Sequence, residues 1–330
     1  MNLYPLTFHP IPKPRPWGGR ALAELYQKPL PAGIPVGESW EIADRPGDAS
    51  VIAGGPLAGR DLRWLMEQHG PAVLGAARAP GGRFPLLVKI LDAREVLSVQ
   101  VHPPPAVAAR LGGEPKTELW YVTRAGPDAR VWAGLKAGTT RADFEQRLRA
   151  GRVAECLHPI PVRPGDALFV PSGRVHALGA GLVLFEIQQN SDTTYRVFDW
   201  NRVGPDGRPR ELHLEAALAS LDFGDLEPGL IAAPWQAEGP WQWRGLADHE
   251  LFCVTEFRAR QAARRTWTGE RAVVFGVVTG ELRLAAPATD TPAVEPLELG
   301  PGRFALVPAA ALPVKLEAAA DTTFLAATPG

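Results

Sequence analysis

Two stretches of this chain carry the same turn-and-strand punctuation, and that repeat constrains the fold more than any other feature. Residues 163–171 read RPGDALFVP and residues 300–308 read GPGRFALVP; each holds a glycine, five residues and a proline. Upstream of each lies an apolar run ending in glycine, LWYVTRAG at 119–126 and VVFGVVTG at 273–280. Glycine permits a tight turn between strands, and proline fixes the loop after them. The repeat predicts two copies of one β-barrel module, joined through DFGDLEPGLIAAPW at 222–235. The expected division is 1–230 and 231–330.

The remaining pattern agrees. Proline and glycine number 34 each and are spread along the chain, which fits short strands and tight turns better than disorder. Apolar runs at 84–91, 96–102, 117–123, 166–171, 182–189, 271–280 and 303–308 read as strands. Helical spacing occurs at 57–70, 139–151 and 211–221. The expected fold is mainly β, with a few peripheral helices.

Composition removes several classes of function. The net charge is −1 with no extended basic run, which argues against nucleic acid as a partner. No apolar stretch approaches the ~20 residues of a membrane span, and prolines interrupt the N-terminus where a signal region would need apolar continuity. A cytoplasmic protein is expected. Cys156 and Cys253 are too far apart in sequence for a thiolate site and are expected to be buried structural thiols. A chain of this length needs no structural metal, so a metal here would do chemistry.

Four segments carry candidate chemistry. Residues 97–102 alternate strictly, so Ser98, Gln100 and His102 share one face of a strand. Alone, this reads equally as a strand with its polar face in water. Lys116 and Glu118 share a face in the same way and could be an exposed ion pair. The third segment is more specific: Gly165, five residues, Pro171, Gly173 and His176 match the second motif of the cupin family. That motif usually continues with asparagine four residues later, where this chain has Ala180. Two imidazoles and a carboxylate form a common catalytic zinc set, although iron and manganese accept the same donors. The fourth segment, FEIQQNSDTTYRVFDW at 185–200, carries Glu186, Asp192 and Arg196. An arginine beyond a metal-bearing barrel can hold an anion bidentately.

Taken in order, LSVQVHP, KTELWYV, VPSGRVHAL and FEIQQNSDTTYRVFDW resemble the metal, phosphate and catalytic segments of type I mannose-6-phosphate isomerases, in the short bacterial cupin branch. PWGGRAL and GESWEIAD are similar to that family's opening segments, and the resemblance spans residues 5–215. It implies two cupin (jelly-roll) modules, one zinc ion per chain and a small sugar phosphate as partner, in a monomer or homodimer. Gln100, His102, Glu118 and His176 would hold the zinc. Arg196, Lys116, Glu186 and Asp192 would be catalytic, and Ser98, Lys116, Arg196, Trp17 and Glu38 would meet the substrate. The reaction implied is interconversion of mannose 6-phosphate and fructose 6-phosphate through a cis-enediol.

Glu186, Asp192, Lys116 and a metal-bound water are each chemically competent as the base. Two other readings compete: a different metal cupin enzyme such as a dioxygenase, and a non-catalytic sugar-phosphate sensor. In the second repeat, Ala310 and Pro313 stand where glycine and histidine are needed, so 231–330 is expected to be structural. His9, His69, His158, His213 and His249 match no ligand spacing and are expected to be surface or hydrogen-bonded residues.

Overall fold

The computed structural model describes residues 2–203, 207–285 and 295–330. Within them the chain is mainly β. One six-stranded sheet runs, in hydrogen-bonded order, Ile11–Gly19, Val36–Ile42, Leu86–Ala93, Leu182–Gln189, Glu118–Ala125 and Ala167–Val170. A second runs Gln236–Glu238, Trp241–His249, Phe252–Ala259, Thr322–Pro329, Val273–Thr279 and Phe304–Val307. Ranked by chain position, both sheets read 1-2-3-6-4-5. The two glycine–proline repeats end the matching strands, Ala167–Val170 and Phe304–Val307.

Each six-stranded sheet faces a smaller one. The first is covered by Tyr195–Phe198, Val99–Val101, His176–Leu178, Arg130–Leu135 and Leu157–Pro161. The second is covered by Ala263–Trp267, Val314–Ala318, Leu282–Ala285 and Leu297–Leu299. The first small sheet therefore has one extra strand, Tyr195–Phe198, and that strand carries Arg196.

Alternation along the strands sorts the buried apolar side chains into separate clusters. Trp120 and Val122 face the first small sheet, in a cluster with Val131, Ile160 and Leu178. Leu119 and Tyr121 face the opposite way, in a cluster with Phe252, Val254, Leu306 and Leu325 of the second six-stranded sheet. The two large sheets thus pack back to back. This explains why LWYV and LVLF are continuously apolar: both faces of these strands are covered. The interior of the second pair is filled by Trp241, Phe257, Phe275 and Phe324.

Helices lie where expected, with shifted ends. Thr140 and Asp143 form a reciprocal capping box that starts Arg141–Arg149. Asp61 accepts from the Trp64 amide at 2.7 Å, so the helix expected at 57–70 begins at Leu62 and continues to Leu74. The third expected helix is Leu214–Ser220, and two short helices, Ala21–Tyr26 and Pro105–Ala108, form outside the expected stretches. Cys156 is buried, but Cys253 is half-buried rather than buried, on a strand whose outer residues alternate toward solvent. No helix among the described residues is long and apolar enough to cross a membrane.

Candidate active site

Three strands bring the first group together. His176 is directly opposite Gln100 in register, and Gln100 is opposite Arg196 on its other side. His102 lies one residue past the end of the strand that holds Gln100, Val99–Val101. Glu118 begins the facing strand of the large sheet. Candidate ligand atoms of His102, Glu118 and His176 lie within 4.8 Å of one another, all buried. Nε2 of His102 is 2.9 Å from Glu118 Oε1, and Nε2 of His176 is 3.4 Å from the same oxygen. The Gln100 amide nitrogen Nε2 is 3.2 Å from His176 Nε2, so turning the amide over would present its oxygen to the same point.

The donor set fits a metal. Nδ1 of His102 donates to the Thr193 carbonyl at 2.8 Å, and Nδ1 of His176 donates to the Arg174 carbonyl at 2.9 Å. Those bonds fix both tautomers and turn the Nε2 lone pairs inward, as ligand histidines require. Burial, reinforced by His102, pushes the His176 imidazole down to about 3. Burial and the Lys116 ammonium hold His102 well below its ordinary range. Burial opposes ionisation of Glu118, but the Lys116 charge, hydrogen bonds from Glu186 and Lys116, and the neighbouring His176 together outweigh it and bring the carboxyl to about 2. The site therefore holds two neutral imidazoles and one carboxylate.

This group adjoins a cleft of about 360 Å³. Trp17, Leu91 and Leu97 line it with apolar surface; Ser98, Gln100, Lys116, Glu186, Asp192, Arg196 and Glu38 supply polar groups. All the site residues expected from sequence thus meet at the cleft or in the metal group beside it.

One wall alternates in charge. Lys116 Nζ is 2.9 Å from Glu118 Oε2 and 3.6 Å from Glu186 Oε1. Lys89 Nζ is 3.3 Å from Glu186 Oε2 and 3.6 Å from Glu38 Oε2. Arg15 Nε donates to Glu38 Oε1 at 2.7 Å. Burial, with the Glu118 charge, raises the affinity of Glu186 for a proton. Burial opposes the Lys116 charge, yet Glu118 and Glu186 prevail and raise its pKa.

The arginine wall is different. Arg196 Nη1 donates to the Glu211 carbonyl at 2.7 Å, while its Nε is buried with no hydrogen-bond partner among the described residues. Arg210 lines the cleft with it. Sequence reasoning missed Arg210, Lys89, Arg15 and Thr194, which also line the cleft. Lys89 left one signal: it is one of six lysines and interrupts the apolar run FPLLVKIL. His213 is hydrogen-bonded as expected, but to the backbone of Arg196, accepting from its amide at 3.1 Å.

A sequence model of the type I phosphomannose isomerase catalytic domain matches residues 8–115. The mannose-6-phosphate isomerase of Streptococcus mutans is 35% identical over 269 residues, covering 81% of this chain and 83% of that protein. This chain belongs to the type I phosphomannose isomerase family. Within that family, mannose-6-phosphate isomerase ManA of Bacillus subtilis is 41% identical over 228 residues, covering 67% of this chain and 69% of its own length. A crystal structure of the mannose 6-phosphate isomerase from Bacillus subtilis matches with a TM-score of 0.87 at 30% identity, covering 98% of this chain and 99% of that one.

Proposed function

We propose that this chain interconverts mannose 6-phosphate and fructose 6-phosphate, with a zinc ion held by Gln100, His102, Glu118 and His176. The observation that carries the reading is the buried two-imidazole, one-carboxylate group opening onto a cleft whose walls are a charged chain and an arginine pair. Bound there, zinc supplies Lewis acidity to the sugar's carbonyl and hydroxyl oxygens.

The chain's own residues divide the remaining work. Lys116 and Glu186 form the proton-handling pair. Glu186 carries a proton more readily than an ordinary glutamate, and the Lys116 ammonium stabilises charge developing on the enediolate oxygens. Lys116 sits against Glu118, which favours this role over phosphate binding. Ser98, Arg196 and Arg210 take the phosphate. An orphaned, buried Arg196 Nε is costly and is satisfied by an anionic oxygen. Anchoring the phosphate orients carbons C1 and C2 for proton transfer. Trp17, Glu38 and Asp192 line the cleft around the sugar.

We read residues 1–230 as the unit that carries this site and residues 231–330 as structural. The repeated strand order and the aromatic filling of the second interior support that division. The Gln-x-His opening motif and the arginine pair favour the isomerase over a dioxygenase.

Nuclear magnetic resonance of mannose 6-phosphate mixed with metal-loaded protein tests the reading. Fructose 6-phosphate signals growing to a constant ratio are expected. Broadened substrate signals without product would mean a sensor, and oxygen uptake would mean the dioxygenase.

A further inference from the structure

The arginine wall rests on an unusual turn. The strand Tyr195–Phe198 delivers Arg196, and the chain then reverses through Trp200 and Asn201, whose φ angles are 57° and 56°. Neither is glycine, and the left-handed region is disfavoured for a residue as bulky as tryptophan. Such a conformation persists only where its surroundings impose it.

The surroundings here are specific. Trp200 Nε1 donates to the Leu97 carbonyl at 2.7 Å, and Leu97 lines the cleft. Arg202 donates to the Val96 carbonyl at 2.7 Å and to the Asp199 carboxylate at 2.6 Å. The Asp199 carboxylate also lies 3.4 Å from Arg210 Nη1. Farther along, the His213 amide donates to the Arg196 carbonyl at 2.8 Å and closes the loop at its base.

Charge explains what the turn is for. Arg202 and Arg210 converge on Asp199, which among the described residues is the carboxylate paired with both, and Arg210 lines the cleft beside Arg196. Asp199 is only 5% exposed, so its charge is poorly screened. Arg202 spends its donors on Asp199 and on the Val96 carbonyl. Among the described residues Arg210 meets Asp199 at 3.4 Å while it lines the cleft. Without that contact, Arg210 would be repelled by its neighbours and would regain its rotamer freedom.

We infer that Asp199 is the positioning residue of the phosphate subsite: it holds Arg210 at the cleft wall beside Arg196, so that two guanidinium groups meet one phosphate. The inference deepens the isomerase reading and rests on it for the identity of the anion.

The full metal-loaded chain provides the test. Asp199→Asn keeps the shape and removes the charge. The KM for mannose 6-phosphate and the inhibition constant of inorganic phosphate should rise together by about tenfold or more, as for loss of one partner of a charge pair. The turnover number should change much less, and metal content should stay at the wild-type level. Asp199→Glu should recover part of the loss. In an Arg210→Gln background, Asp199→Asn should add nothing, because the two act as one unit.

Unchanged KM and inhibition constant, or an equal penalty with and without Arg210, would overturn the inference. If Asp199→Asn fails to fold, Asp199→Glu and Arg210→Gln decide together: any loss of phosphate affinity left by Asp199→Glu should vanish in the Arg210→Gln background, and a loss that persists there, or unchanged affinity in Arg210→Gln itself, overturns the proposal. A wild-type protein without turnover would sink the isomerase reading instead. Calorimetric titration with inorganic phosphate would still judge Asp199 in that case.

Discussion

Glu118 and Glu186 share one cavity yet differ in their hold on a proton. Against the opposing effect of burial, Lys116 and the groups beside it bring Glu118 down to about 2, while burial and the Glu118 charge push Glu186 up. Environments that separate two like groups in this way are how a fold assigns acid and base roles. The buried imidazoles yield a prediction for the metal-free protein. An unfolded histidine takes up its proton near 6.5, whereas folded His176 resists until about 3 and His102 is also well depressed. Below 6.5 the unfolded chain therefore binds more protons, and stability falls as pH drops toward 3. Thermal melting of chelator-treated protein across that range should show this decline. A melting temperature that rises on acidification would contradict it. At the arginine wall, Arg196→Ala should lower kcat/KM by about 100-fold or more through loss of substrate anchoring. Elemental analysis should find its metal content intact; loss of the metal would overturn the assignment of Arg196 to the phosphate.

At the scale of elements, the helix Arg141–Arg149 is the clearest test of local reasoning. Its capping box is exposed, and Phe144 is fully buried. Thr140→Ala should cost about 1 kcal/mol and Phe144→Ala about 3–5 kcal/mol in chemical denaturation, with metal content unchanged in both. A larger loss at the cap than at Phe144 would contradict the packing account. This helix was legible in the sequence because both its cap and its apolar face are local. The strand Ile11–Gly19 was not, because its prolines argue against a strand; it is tolerated as an edge strand, where one side needs no partner. Only Val99–Val101 of the run 96–102 forms ladder bonds, yet the alternation placed Ser98, Gln100 and His102 correctly on one face. Lys89 escaped notice because its strand is buried on both faces, so alternation marks no polar side. Arg210 escaped because it returns to the cleft only through a turn that periodicity does not describe.

Across the whole molecule, the back-to-back large sheets share one apolar core. Glu256 sits in that interface, fully buried, accepting from Tyr121 at 2.9 Å and from Arg244 at 2.7 Å. Arg244 also donates to the carbonyl of Gly165, the turn glycine of the cupin motif. Tyr121 lies on the strand that begins with Glu118. Glu256→Ala should therefore destabilise the chain by about 3–5 kcal/mol, since it leaves buried charge unpaired. Residues 1–230 produced alone should aggregate, because the apolar outer face of their large sheet would be bare. Size-exclusion chromatography of that fragment checks the point; a monodisperse, active fragment would show that the second unit is not required.

The central claim is that metal held at His102, Glu118 and His176 serves isomerisation in the adjoining cleft. A coupled assay of fructose 6-phosphate formation from mannose 6-phosphate, run before chelation, after chelation and after zinc add-back, tests it most directly. The account predicts turnover that disappears with the metal and returns with zinc. Absence of turnover from folded, zinc-loaded protein, or turnover indifferent to chelation that has removed the metal, would contradict it.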